Sequence, residues 1–155
     1  SLVRATQLTL AGALGLLDSN DDTLLVLNGD ILTGVDFRSM LLFHRKHGAA
    51  LTVGVRQYGV EVPFGVVETD QGIVRSLREK PTVDFLVNAG IYLVEPAARK
   101  RIPRDQRFDM TDLIGRLLAD GQRVATFPIV EYWLDVGQPA DYAQAQRDVE
   151  TARIR

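Results

Sequence analysis

An acid closes the apolar run Leu24-Leu25-Val26-Leu27, in the triplet Asn28-Gly29-Asp30, and a second acid, Asp135, lies far along the chain in Trp133-Leu134-Asp135-Val136-Gly137. The apolar run reads as a buried parallel strand. Ligands of open α/β sheets gather just beyond the carboxyl ends of such strands. A carboxylate there, behind a glycine that permits close approach, suits a hard cation held against a phosphate. Phosphate handling is the chemistry this placement suggests, while a helix N-cap is the plainer role open to each Asp.

Further groups could complete such a site. In Glu79-Lys80-Pro81 the proline stops a strand ladder, so that the two charged side chains can point into a cleft. Lysine is a compact phosphate-binding charge and glutamate accepts hydroxyl hydrogen bonds, although an ordinary surface ion pair would look the same. Asn88-Ala89-Gly90 interrupts an apolar strand with an amide and a residue lacking Cβ. That suits a ligand lying against the backbone, or a β-bulge. Pro63-Phe64-Gly65 reads as a turn.

Other chemistries are set aside. There is no G-x-x-x-x-G-K-[ST] or G-x-G-x-x-G segment, so neither a Walker loop nor a dinucleotide fingerprint is present. The serines lack a nucleophile-elbow context. His44 and His47 share one helix with Arg45 and Lys46, read as a solvated face with too few ligands for zinc. Arg99, Lys100, Arg101, Arg104 and Arg107 read as a solvated basic surface.

The 155 residues suit one domain that buries roughly 70% of its unfolded surface, with no repeat, low-complexity tract or linker. A net charge of −2 argues against a general nucleic-acid binder, which needs a basic face. The absence of cysteine excludes disulfides, thiolate nucleophiles and Cys-ligated zinc. No apolar run approaches the roughly 18 residues of a membrane span. Arg4 before the apolar stretch Leu8 to Leu17 faintly resembles a signal peptide, but no small-residue cleavage site follows, so a helix is the better reading. The expected compartment is the cytoplasm. The chain opens at Ser1 rather than methionine, which suggests processing or trimming.

Residues 6–17 read as a helix and 23–28 as a buried strand. Asp36 can cap a helix over 37–47 that Gly48 ends. Leu51 to Val55 is a strand, and Gly65–Glu68 with Ile73–Leu77 form a hairpin around Thr69-Asp70-Gln71-Gly72. Phe85 to Val94 is a strand, followed by a short helix from Pro96 to about Arg101. Asp109-Met110-Thr111-Asp112 opens a helix to Ala119, stopped by Gly121. Arg123 to Pro128 is a strand, Tyr132 to Val136 is extended, and Pro139 opens a terminal helix to about Ala152. Alternating strands and helices predict an α/β fold with a mixed, mainly parallel sheet covered on both faces.

The ordered set Leu27-Asn28-Gly29-Asp30, Phe64-Gly65-Val66-Val67, Glu79-Lys80-Pro81, Val87-Asn88-Ala89-Gly90-Ile91-Tyr92 and Trp133-Leu134-Asp135-Val136-Gly137 resembles the sugar-phosphate nucleotidyltransferases. That is the family of glucose-1-phosphate thymidylyltransferase and mannose-1-phosphate guanylyltransferase. The resemblance covers nearly the whole chain. It implies a Rossmann-like three-layer sandwich, the nucleotide-diphospho-sugar transferase fold, with residues 1–155 as the carboxyl-terminal part of the catalytic domain. It also implies that Asp30 and Asp135 hold Mg²⁺, that Glu79 binds sugar hydroxyls and that Lys80 binds the phosphate of a sugar 1-phosphate. Asn28, Gly29, Gly65, Asn88 and Gly90 would line the sugar pocket. The implied reaction transfers a nucleotidyl group from an NTP to the sugar 1-phosphate and releases pyrophosphate.

Two departures matter. The family's glycine-rich loop and Pro-Lys-Pro segment have no counterpart after Ser1. Where members carry Gly-Thr-Ala-Gly this chain has Thr9-Leu10-Ala11-Gly12, leaving Ala11 and Gly12 as nucleotide-binding candidates. The expectation is a chain with little or no transferase activity alone, whose uncovered strand edge favours a homo-oligomer. The alternatives are a non-catalytic sugar-phosphate-binding or dimerisation module, and a glycosyltransferase-like domain. The last lacks its Asp-x-Asp, because Asn28 holds the first position.

Overall fold

A computed structural model of the chain describes residues 10–14, 21–103, 107–137 and 139–150. Their elements, in order, are α1 (Leu10–Leu14), β1 (Leu24–Leu27), β2 (Ile31–Thr33), α2 (Phe37–His47), β3 (Leu51–Glu61), β4 (Val66–Asp70), β5 (Ile73–Arg78), β6 (Thr82–Val94), α3 (Pro96–Arg99), α4 (Met110–Ala119), β7 (Val124–Pro128), β8 (Trp133–Asp135) and α5 (Pro139–Glu150). The rest of the expected helix over 6–17, the residues of the expected terminal helix beyond Glu150, and Arg104 lie outside the described residues.

Local chemistry sets several boundaries. The Asp36 carboxylate accepts the backbone N–H groups of Arg38 and Ser39 at 2.9 and 3.2 Å, satisfying donors that the first turn of α2 leaves free. Gly48, at φ 54°, closes that helix by donating its N–H to the last-turn carbonyls. At α4 the Asp112 carboxylate reaches back to the Asp109 N–H at 2.8 Å. Between β4 and β5, Gln71 and Gly72 both take positive φ (48° and 84°), the twist that a two-residue hairpin loop requires.

The main sheet has the order β1-β6-β3-β7. Side chains alternate between its faces. Leu51, Val53, Val55, Tyr92, Val94 and Val26 pack on one face against Ala11, Ala98, Leu113 and Leu117 from α1, α3 and α4. Ala89, Ile91 and Leu93 pack on the other against Val35, Ile129 and Met40 of α2. The result is a helix–sheet–helix sandwich. Each fully buried leucine, such as Leu113, contributes about 1.5–3 kcal/mol through loss of apolar surface from water. Among the described residues no helix is long and apolar enough to cross a membrane.

The sheet is mixed, as expected, but it is not mainly parallel. Among the described strands of this sheet only β3–β7 pair in parallel, whereas β1–β6 and β3–β6 are antiparallel. The expectation of a buried parallel strand at 24–27 is therefore corrected. β1 pairs antiparallel with β6, and Val26 alone of its residues is buried, Leu25 remaining 40% exposed. An apolar run looks the same whichever way its neighbour runs. β3 and β6 also extend past the core, so that Gln57–Glu61 pairs with Thr82–Leu86 as an exposed ribbon.

Two surface assignments are corrected as well. His44 is 1% exposed, not solvated: its Nε2 meets Glu95 Oε1 at 2.8 Å and its Nδ1 meets Thr52 Oγ1 at 2.7 Å. A carboxylate only accepts, so the Nε2 carries a proton. The Thr23 hydroxyl donates to the same Glu95 oxygen at 2.6 Å, tying the start of β1 and the end of β6 to α2. Arg99, expected on a basic surface, is buried at the end of α3.

Candidate active site

β6 carries an irregularity that shapes the site. Its register with β3 runs from Val53 opposite Tyr92 to Val55 opposite Asn88, so that Ala89, Gly90 and Ile91 face Gly54 alone. The Asn88 side chain closes this bulge: Oδ1 accepts the Gly90 N–H at 2.9 Å and Nδ2 donates to the Tyr92 hydroxyl at 2.8 Å. Burial pushes the Tyr92 phenol above its usual range, more than the Asn88 amide lowers it.

The bulge meets the end of β1. Asn28 donates its backbone N–H to the Gly90 carbonyl at 2.9 Å. Gly90 has φ +70°, and a Cβ there would stand 2.7 Å from Asn28 Nδ2 and 2.9 Å from its Cγ. Only glycine fits against that side chain in that conformation. Gly29 is different, since a Cβ there would meet nothing within 4 Å.

Asp30 and Asp135 come together through a small separate sheet. β2 pairs antiparallel with β8, placing Ile31 opposite Asp135, and the Val136 N–H donates to the Asp30 carbonyl at 2.7 Å. Both acids are exposed, and neither has an ion-pair partner among the described residues. The helix-cap role does not apply to either: Asp30 leads into β2, and Asp135 ends β8 ahead of α5, which opens at Pro139. No group of three or more His, Cys, Asp or Glu that could hold a metal ion occurs among the described residues. Carboxylate oxygens are the ligand type that a hard cation such as Mg²⁺ takes, and both of these acids lie open to solvent.

A second group gathers beside the exposed ribbon. A Cβ at Gly65 would stand 3.1 Å from Glu79 Oε2 and 3.3 Å from Leu77 Cδ1, so the glycine and the acid are neighbours. Lys80 is exposed and has φ +43°. That conformation is uncommon for a residue with a side chain, and Pro81 beside it favours extended backbone instead. Such strain concentrates where a side chain must be aimed. Ala11 and Gly12 lie on α1, both buried, with Ala11 in the hydrophobic core at 0% exposure, where it supplies packing.

The structure thus sets Asn28 against Gly90 in the bulge that Asn88 closes, the Asp30 carbonyl against the backbone just after Asp135, and Gly65 against Glu79, the chain neighbour of Lys80. Sequence reasoning assigned no part to Tyr92 or to the Trp133 indole, whose N–H donates to the Ala89 carbonyl at 2.8 Å. Trp133 stood beside Asp135 as the chain's single tryptophan, the one signal that could have marked it.

Residues 6–152 match the family model described as Nucleotidyl transferase, and the chain belongs to that family. It is 32% identical over 136 residues to a probable mannose-1-phosphate guanylyltransferase of Oryza sativa subsp. japonica, covering 85% of this chain and 37% of that protein. It is 34% identical over 143 residues to a UTP–glucose-1-phosphate uridylyltransferase of Synechocystis sp., covering 87% and 37%. Against these relatives the chain spans 37% of their length. In structure it is similar to a Bacillus anthracis protein described as a glucose-1-phosphate thymidylyltransferase, with TM-score 0.67, 22% identity, and coverage of 94% of this chain and 63% of that one. The shared fold is the Rossmann-like sandwich of the nucleotide-diphospho-sugar transferases.

Proposed function

We propose that the chain serves nucleotidyl transfer to a sugar 1-phosphate, and that the described site holds the sugar phosphate and Mg²⁺. The observation that carries this reading is the β2–β8 pairing, which sets Asp30 and Asp135 on adjoining backbone beside the Asn28–Gly90 contact. Asp30 and Asp135 would hold the ion, which when bound neutralises phosphate oxygen charge. The Lys80 ammonium meets the sugar phosphate, and Glu79 accepts hydrogen bonds from sugar hydroxyls. Asn28, Gly29, Gly65, Asn88 and Gly90 form the surface against which the sugar lies. Ala11 and Gly12 are assigned to the nucleotide side by resemblance alone.

In the reaction a phosphate oxygen of the sugar 1-phosphate attacks the α-phosphorus of the NTP, and the bond to the β-phosphate bridging oxygen breaks to release pyrophosphate. Such transfers need chiefly in-line positioning and charge neutralisation from the protein. A bulge that permits backbone approach and a lysine held in a fixed turn provide positioning of that kind.

The test pairs calorimetric binding of mannose 1-phosphate and glucose 1-phosphate, with and without Mg²⁺, with pyrophosphate release from GTP, UTP or dTTP. Mg²⁺-dependent binding with release supports the transferase. Binding without release supports a sugar-phosphate-binding module. If neither sugar phosphate binds in the presence of Mg²⁺, the reading falls.

A further inference from the structure

β2 and β8 are three residues each and pair only with one another among the described strands. A ribbon so short does not hold its own place, and the bonds Val136 N–H to Asp30 O and Gly34 N–H to Tyr132 O merely join its two halves. From within β8 itself, the Trp133 indole reaches the central sheet. Its N–H donates to the carbonyl of Ala89, inside the same bulge that presents Gly90 to Asn28. The indole packs with the core cluster on that face, and the Arg56 guanidinium lies over the ring at 5.8 Å while donating to Glu131 O at 3.2 Å.

We propose that Trp133 is a positioning residue, which fixes the Asp135 carboxylate relative to the Asn28–Gly90 surface through its bond to Ala89. The proposal rests on the reading of Asp30 and Asp135 as the magnesium-holding pair. Loss of a single N–H bond would then loosen the alignment of the acids without dismantling the core. Removal of groups that orient a ligating side chain typically weakens binding about 10–100-fold.

The decisive variant is Trp133→Phe, which keeps an aromatic ring and deletes the donor. Hydrogen exchange needs no ligand: amides of Val136 and Gly34 should exchange about tenfold faster in the variant, while those of Leu51–Val55 stay as in the parent. Unchanged Val136 exchange overturns the proposal, and so does faster exchange throughout Leu51–Val55, which would make Trp133 a residue of general stability. In calorimetry, Trp133→Phe should weaken Mg²⁺-dependent mannose 1-phosphate or glucose 1-phosphate binding about tenfold. The same substitution should cost nothing more in an Asp135→Asn background. Equal losses in both backgrounds overturn it. If the parent binds no sugar phosphate, the functional reading fails, and the exchange result still decides whether Trp133 holds β8.

Discussion

Val136 donates its backbone N–H to the carbonyl of Asp30 at 2.7 Å, so acids from distant parts of the chain share one end of a two-stranded ribbon. Because both carboxylates are exposed and unpaired among the described residues, Asp30→Asn and Asp135→Asn should each leave the unfolding free energy within about 0.5 kcal/mol of the parent. Each should weaken Mg²⁺-dependent sugar 1-phosphate binding at least about tenfold, roughly 1.4 kcal/mol, and the double variant should lose less than the sum. Calorimetry on the three variants checks this. Parent-like affinity in both singles would remove the metal assignment.

Gly90 sits at φ +70° with the Asn28 side chain where its Cβ would be. Gly90→Ala should destabilise by about 1–3 kcal/mol, from left-handed strain and from displacement of Asn28. Adding Asn28→Ala removes the clash but not the strain, so the pair should recover only part of the loss. Urea unfolding of the single and double variants measures both contributions, and complete recovery would show that strain plays no part.

Lys80 offers a prediction of opposite signs. Its φ of +43° suits glycine better than lysine, so Lys80→Gly should raise stability by about 0.5–1 kcal/mol. The same change removes the charge proposed to meet phosphate, so sugar 1-phosphate affinity should fall. A thermal melt and a binding isotherm on one variant check both. Loss of stability, or unaltered affinity, contradicts the reading of this turn.

Glu95 gives the fold an acid-sensitive point. Burial pushes its carboxyl up, but hydrogen bonds from the Thr23 hydroxyl and the His44 ring, with the charges of His44 and Arg45, more than offset that, leaving it below the ordinary 4.5. A carboxyl held lower in the folded state contributes stability above its unfolded value, and that contribution is lost as pH falls through the folded value. Urea midpoints should therefore drop on acidification below 4.5, and Glu95→Gln should flatten that part of the profile. An identical acid limb in the two proteins would rule Glu95 out as its cause.

Much of the scaffold is legible in local chemistry. Asp36 and Gly48 bracket α2 and Asp112 marks the start of α4, while the β4–β5 turn is Gln71-Gly72, shorter than the expected Thr69–Gly72 loop because Thr69 and Asp70 still pair with Val74 and Ile73. These boundaries depend on hydrogen bonds and dihedral angles within a few residues, which residue types report directly. The candidate site was legible only as an ordered set of short motifs. Gly90 could be read as a bulge or as a ligand surface, and it is part of a bulge that meets Asn28.

The amino-acid sequence alone supplies the ends of α2 and α4, the presence of the β4–β5 hairpin, and the polar residues that interrupt apolar runs. Tertiary structure alone decided that β1 runs antiparallel to β6, that His44 is enclosed between Thr52 and Glu95, and that Trp133 reaches Ala89. The physical reason is that strand direction, desolvation and a side chain's distant partner depend on what the fold brings opposite. A local window of sequence does not contain that neighbour.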